Sequence, residues 1–169
     1  MAYISADSQI HGHSLMKLLK LLIPALFLFT FHSQAQSQDY TTTDKKAIRS
    51  FENAMNAFDA RNYDLALALI EEAIDREKGF IEAHLLSFEV CTEMRDYDCA
   101  KKSLRKAISI DSDFYANAHF FLGALEMNDG EYEAAKQGFE RFLTFDRISP
   151  EMSEKASSEI LNCMFALDR

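Results

Sequence analysis

Beyond residue 35, the side chains best suited to metal or redox chemistry are two histidines and three cysteines. His84 and His119 each follow an alanine and hold the same position in successive units of a repeat described below. Two imidazoles at matching positions suggest a metal site. Helices packed side by side are separated by about 8–10 Å, however, which is too far for the two rings to share one ion. We therefore predict that the chain binds no metal and no other cofactor.

The cysteines are Cys91, Cys99 and Cys163, an odd number for an oxidising compartment. Cys91 and Cys99 fall on adjacent predicted helices, so a disulfide between them is geometrically conceivable. Cys91 also lies on a predicted packing face, where buried free thiols are common, and we favour this second interpretation. Cys163 is expected to be a small core residue of the last helix.

Motifs typical of catalysis are absent from the sequence. It has no Gly-rich phosphate loop, no nucleophile elbow, no paired-carboxylate motif and no Cys–His motif of a nucleophile. The net charge of −9 predicts an acidic surface, which would repel nucleic acid and anionic lipid. The sequence thus predicts a protein that is not an enzyme and has no nucleic-acid partner.

A five-residue pattern occurs three times in the sequence. The helices that it predicts must position the histidines and cysteines described above. The pattern reads Asn-Tyr-Asp-Leu-Ala at 62–66, Asp-Tyr-Asp-Cys-Ala at 96–100 and Glu-Tyr-Glu-Ala-Ala at 131–135. A period of about 34 residues is typical of helix–turn–helix arrays, whose units bury their apolar faces only against one another. Apolar residues on both sides of each tyrosine step by three and four, which predicts two amphipathic helices per unit, joined by a short polar turn and packed antiparallel.

These units resemble tetratricopeptide (TPR) repeats over roughly residues 47–146. The resemblance implies a small residue within the first helix, an aromatic residue at the turn and alanines along the second helix. The matching residues are Ala54, Tyr63, Ala66, Ala73, Tyr97, Ala100, Ala107, Gly123, Tyr132 and Ala135. Phe88 departs from the pattern at the small-residue position of the second unit. Lys78 and Ser112 stand where a closing proline is usual.

The end of the chain shows a narrower resemblance. Ser149, Pro150 and Glu151 supply a cap, a first-turn proline and an acid for one more helix, which we expect to cover the last repeat. The stretch 149–166 resembles the end of the TPR region that begins many Bacteroidota cell-envelope proteins, where a β-propeller and an OmpA-like peptidoglycan-binding domain follow. Neither follows within these 169 residues, so the resemblance implies a free-standing relative or a truncated one.

The N-terminus has the composition of a secretory signal peptide. An apolar run at 21–31 follows Lys17 and Lys20, and Ser-Gln-Ala at 33–35 fits a small-x-small cleavage site. The run is too short for a stable membrane span. We predict export across the inner membrane to the periplasm or the outer membrane, with Met16 as a plausible true start and no integral span in the mature protein.

Taken together, these patterns predict an all-α, TPR-type helix–turn–helix solenoid of about three repeats with a C-terminal capping helix. The predicted divisions are 1–35 (signal peptide), 36–43 (a polar, disordered tether), 44–79, 80–113 and 114–148 (three repeats) and 149–169 (capping helix).

In TPR arrays the first helices line a concave groove that holds a peptide or a helix, and the resemblance locates candidate positions for one here. They are Phe51, Met55, Phe58, Leu85, Glu89, Glu93, Phe120, Ala124 and Met127. Phe51 and Phe58 can instead complete the core, whereas Glu89, Glu93, Phe120 and Met127 are expected to be exposed. The Lys, Arg and Asn with which other TPR proteins grip C-terminal carboxylates are missing from these positions, so the groove favours a basic or amphipathic segment.

The predicted function is a non-enzymatic protein–protein interaction scaffold in the bacterial cell envelope. Two alternatives stay open. One is the N-terminal adaptor fragment of an OmpA-like, peptidoglycan-tethering protein of the gliding or type IX secretion type. The other is an accessory subunit of an enzyme or uptake complex.

Overall fold

The computed structural model describes residues 39–168, and these residues contain seven helices and no strand. The helices are α1 (Lys45–Asp59), α2 (Tyr63–Arg76), α3 (Ile81–Glu93), α4 (Tyr97–Ile110), α5 (Ala116–Asn128), α6 (Tyr132–Phe142) and α7 (Pro150–Leu167). Helices α1–α6 pack as three consecutive pairs, and α7 packs against α6. The all-α, repeated architecture is therefore confirmed. The predicted signal peptide and residues 36–38 of the predicted tether lie outside the described residues.

The three tight turns inside the helix pairs share one backbone arrangement. Arg61, Arg95 and Gly130 all have positive φ, at 58°, 59° and 80°. The amide of the following residue then donates to a carbonyl five residues earlier, at 2.8 Å in all three turns. This is the Schellman motif, which closes a helix through one left-handed residue. That following residue (Asn62, Asp96 or Glu131) is also the N-cap of the next helix.

Small residues allow the paired helices to approach closely. The signature alanines are all buried: Ala54, Ala66, Ala73, Ala100, Ala107 and Ala135. In the third pair a Cβ on Gly138 would lie 3.3 Å from the Cα of Gly123 and 3.0 Å from the carbonyl oxygen of His119. Helices α5 and α6 therefore cross with their backbones almost in contact. Tyr63 and Tyr132 are half-buried, whereas Tyr97 is exposed.

The second pair is joined by polar and covalent contacts at the corresponding crossing. Ser87 of α3 and Ser103 of α4 share a buried hydrogen bond of 2.9 Å. Cys91 and Cys99 form a disulfide with their Cα atoms 5.7 Å apart. Our preference for a buried free thiol at Cys91 was thus wrong, because the tight turn brings the end of α3 against the start of α4. Cys163 is a buried free cysteine, as predicted.

The described part of the predicted tether is ordered by contacts with the first two repeats. The ring of Tyr40 packs edge-on against Phe51 and Phe80, with centroids 5.4 and 5.8 Å away. Thr41 Oγ1 accepts the backbone N–H of Ile81 at 3.1 Å and donates to Glu82 Oε2 at 2.5 Å. Thr41 thereby supplies the cap that Phe80, the N-cap residue of α3, lacks. The prediction of disorder was wrong for these residues. It rested on their polar composition, which does not show that the single aromatic ring of Tyr40 packs against the repeats.

Different chemistry joins the successive pairs. The junction of the first two pairs is apolar and contains the buried residues Phe51, Ile70 and Phe80. The junction of α4 with the third pair is ionic: Lys101 pairs with Asp129, and Arg105 pairs with two glutamates at 2.9 and 3.1 Å.

Helix α7 covers the third pair. Its Ala156 and Cys163 join the buried cluster of Phe120, Phe139 and Phe142. Met164 of the same helix is exposed.

Substituting Arg95 by glycine should stabilise the fold. A left-handed conformation costs an L-residue about 1–2 kcal/mol, and glycine avoids this cost. Part of the resulting gain in stability is offset, because glycine loses more conformational entropy on folding. We expect the free energy of unfolding to rise by about 0.5–1 kcal/mol in Arg95→Gly, measured by chemical denaturation. Arg95→Ala is the matched control, since it removes the side chain and keeps the Cβ. Equal stabilisation by alanine would contradict the assignment of strain to this residue.

Candidate functional site

Two of the predicted groove residues belong to the core. Phe51 is 5% exposed and lies against Phe80, with ring centroids 4.9 Å apart. Phe120 is 4% exposed and packs edge-on against Phe139 and Phe142, both at 5.3 Å. For Phe51 the core alternative holds. The expected exposure of Phe120 was wrong, because this face of α5 is covered by α6.

Other predicted positions are half-buried at boundaries within the solenoid. Leu85 lies in a narrow crevice with Phe114 and Tyr115, between the second and third pairs. Ala124 and Met127 pack against the buried cluster of Phe120, Phe139 and Phe142, so Met127 is more covered than expected. Met55 and Phe58 likewise lie against the buried cluster that contains Phe51, Ile70 and Phe80, and they retain part of their surface.

Glu89 and Glu93 are exposed on α3, and their spacing of four residues places them on one side of that helix. Neither carboxylate forms an ion pair within residues 39–168. Although Glu89 as a residue is exposed, partial desolvation raises the pKa of its carboxyl group. Glu93 Oε2 lies 3.4 Å from the hydroxyl of Tyr63, whose ring is 6.0 Å from Phe58. These contacts connect the side of α3 that carries Glu89 and Glu93 to the turn between α1 and α2.

An aromatic pair that includes Phe88, the residue next to Glu89 in the sequence, was missed by the sequence analysis. Phe88 of α3 stacks on Phe121 of α5 with centroids 5.4 Å apart, and both rings are half-buried. A signal was present, because a phenyl ring at a small-residue position cannot enter the α3–α4 crossing, where Ser87 meets Ser103. The ring turns toward the next repeat instead. We call Phe58, Phe88, Glu89, Glu93 and Phe121 the acidic–aromatic surface.

The two histidines serve the connections between repeats. His84 Nε2 donates to the carbonyl of Lys78 at 3.3 Å, and His119 Nε2 donates to the carbonyl of Ser112 at 2.8 Å. Both rings are buried, and both accepting residues occupy the positions where TPR repeats usually have proline. Burial lowers the pKa of His84 below its ordinary value of 6.5. No cluster of three or more potential metal-binding side chains occurs within residues 39–168.

No helix in the described part of the chain combines the length and the apolar character needed to cross a membrane.

Comparison with known proteins supports a TPR fold. Residues 86–114 match the family model of the tetratricopeptide repeat. No curated protein matches the chain. The similar solved structures described next are less than 25% identical to this chain, so they establish the fold alone. Their fold confirms the predicted TPR-type solenoid.

Several of the similar solved structures contain a bound peptide, including the three that follow. The first TPR of Spaghetti (RPAP3), bound to the HSP90 peptide SRMEEVD, has a TM-score of 0.60 and 20% identity, covering 73% of this chain and 94% of that one. The Yersinia enterocolitica type III secretion chaperone SycD, in complex with a peptide of the translocator YopD, has a TM-score of 0.60 and 17% identity, covering 70% and 92%. The second TPR domain of human RPAP3, with the HSP70 peptide SGPTIEEVD, has a TM-score of 0.58 and 20% identity, covering 70% and 95%.

The lowered pKa of His84 predicts a loss of stability in mild acid. The pKa of His84 is lower in the folded chain than in the unfolded chain. The free energy of unfolding therefore decreases as the pH falls through about 6.5 toward the lower pKa of the folded chain. His84→Gln keeps an N–H donor near the Lys78 carbonyl and does not titrate. We expect its free energy of unfolding to fall less than that of the wild type between about pH 7.5 and 5.5, by urea denaturation. Identical pH dependence in both proteins would refute this role of His84.

Proposed function

We propose that this protein is an exported, non-enzymatic scaffold of the bacterial cell envelope, and that its acidic–aromatic surface binds a basic or amphipathic segment of a partner protein. The TPR-type solenoid is a fold used for protein–protein interaction. Support for export comes from the apolar run at 21–31 and the small-x-small sequence at 33–35.

The observation that carries the binding proposal is that two exposed carboxylates on one side of α3 lack a basic partner, while half-buried aromatic rings occur on α3 and its neighbouring helices. Glu89 and Glu93 have no basic partner in the described chain, and Glu89 is already partly desolvated. A lysine or arginine of a ligand would compensate both charges and make the charged form of Glu89 more favourable. Phe58, Phe88 and Phe121 offer apolar area for the ligand's other face.

Charge distinguishes this surface from the peptide complexes of its structural neighbours. The RPAP3 domain is seen with SRMEEVD, a peptide with three acidic residues. Two exposed glutamates would repel such a ligand. We therefore expect a ligand of opposite charge.

The two alternative functions would use the same surface with other partners. The adaptor of a peptidoglycan-tethering protein rests on the resemblance of residues 149–166, and an accessory subunit would carry a catalytic protein as its ligand.

Reversing both charges should abolish recognition of a basic ligand. The probe is a 12-residue amphipathic peptide of lysine and leucine, followed by fluorescence anisotropy at low and moderate salt. We expect Glu89→Lys/Glu93→Lys to weaken binding by roughly tenfold or more, because close charge pairs contribute on the order of 1.4 kcal/mol or more when partly desolvated. A glutamate–leucine peptide should not bind the wild type.

Glu71→Lys/Asp75→Lys is the matched control, with the same change in charge at the same four-residue spacing on α2. It should bind the probe within about twofold of the wild type, apart from the general effect of net charge. Undiminished binding by the Glu89/Glu93 variant, or equal losses in both variants, would refute the acidic–aromatic surface.

Export predicts a defined mature N-terminus. In a double-membrane bacterium we expect processing after Ala35, which leaves Gln36 as the first residue because the small-x-small site ends there. Intact-mass measurement of the protein recovered from the periplasmic or outer-membrane fraction tests this. A cytosolic protein with residues 1–35 intact would contradict the proposal of export without affecting the binding surface.

A further inference from the structure

A cavity of about 640 Å³ lies on the side of α3 away from Glu89 and Glu93. Its wall combines Ile74 of α2, His84 of α3 and a continuous side of α4 that begins at Cys99. An α-helix turns by about 100° per residue, so Glu89 and Glu93 lie about 140° and 180° around α3 from His84. The two carboxylates therefore lie on a different side of α3 from the cavity, whereas Phe88 is only about 40° from His84. The cavity volume falls within the range of about 300–1,000 Å³ that is usual for small-molecule sites.

The wall of this cavity is basic, although the chain as a whole is acidic with a net charge of −9. It includes Lys78, Lys102, Arg105 and Lys106. Lys78 is neutralised by Asp75 at 2.6 Å, and Arg105 by two glutamates of the third pair. Lys102 and Lys106 are exposed and form no ion pair within residues 39–168. They stand one helical turn apart, so their charges repel each other until an anion lies between them.

The deeper wall offers apolar contact and few free hydrogen-bonding groups. Ser87 and Ser103 are hydrogen-bonded to each other, and the His84 ring is bonded to the Lys78 carbonyl. Ile74 and the half-buried Cys99, which is part of the disulfide, contribute apolar surface. A ligand body that enters here therefore gains by burying hydrocarbon, and only the lysine end requires a charge.

We propose that this cavity binds a small anionic amphiphile, with its carboxylate or phosphate between Lys102 and Lys106 and its hydrocarbon body against Ile74 and the Cys91–Cys99 disulfide. This site is additional to the proposed peptide-binding surface and does not depend on it.

Isothermal titration calorimetry on the purified protein tests the proposal with four probes. Decanoate and decyl phosphate combine a charge with a hydrocarbon chain, decanol keeps only the chain, and acetate keeps only the charge. We expect measurable binding of decanoate or decyl phosphate, and at least about tenfold weaker binding of decanol and acetate, since each lacks one of the two contacts. The stronger of the two anionic probes identifies the head group. Equal binding of decanol would overturn the role of the lysines, and no binding of either anion would overturn the site.

Two variants locate the binding. Lys102→Glu/Lys106→Glu should weaken decanoate binding by roughly tenfold or more, whereas Lys45→Glu/Lys46→Glu, the same charge change on α1, should leave it within about twofold. Ser109→Trp, which keeps both lysines and narrows the cavity, should also weaken it. Chemical-shift changes of the wild type on adding decanoate should centre on α4, which keeps the test valid if a variant does not fold. Shifts centred elsewhere, or equal losses in both double variants, would overturn the proposal. Binding of the lysine–leucine peptide should be unchanged in Lys102→Glu/Lys106→Glu, which separates this test from that of the acidic–aromatic surface.

Discussion

Each helix pair in this protein depends on a three-residue turn, and all three turns adopt the same backbone conformation. One residue adopts the left-handed conformation, and the next donates its amide back across the end of the helix and occupies the N-cap position of the helix that follows. Glycine meets this requirement without strain at position 130, whereas Arg61 and Arg95 meet it at some cost. Because the turn is only three residues long, the first residues of the second helix lie directly against the last residues of the first helix. The Cys91–Cys99 disulfide and the contact of Tyr63 with Phe58 both follow from this closeness.

The three pairs use the same turn but different contacts at their crossings. In the third pair, glycines bring the backbones of α5 and α6 together, while the second pair holds its crossing with a serine–serine hydrogen bond. Phe88 is excluded from that crossing and turns to Phe121, so a departure from the repeat pattern becomes a contact between repeats. The junctions between pairs also differ: the first contains the apolar contact of Phe51 with Phe80, and the second combines the Phe88–Phe121 contact with the ion pairs of Lys101 and Arg105.

Helix α3 separates two surfaces of opposite charge. Glu89 and Glu93 lie on one side of this helix, and the cavity bordered by Lys102 and Lys106 lies on the other. The overall charge of −9 conceals this division, because it sums over both sides. A solenoid has two long faces with few other elements to cover them, so it can present both at once.

The sequence alone determined the all-α class, the positions of the three turns and the buried alanines, because each of these repeats with a period that local hydrogen bonding and helix geometry impose. It also identified Glu89 and Glu93 as candidates. Only the tertiary structure decided that Phe120 is covered, that Thr41 caps a helix 40 residues away, and that Lys102 and Lys106 border a cavity. These outcomes depend on which helix lies against which side of its neighbour. A periodic pattern marks one apolar side of a helix, but it does not show how far the next helix extends over it.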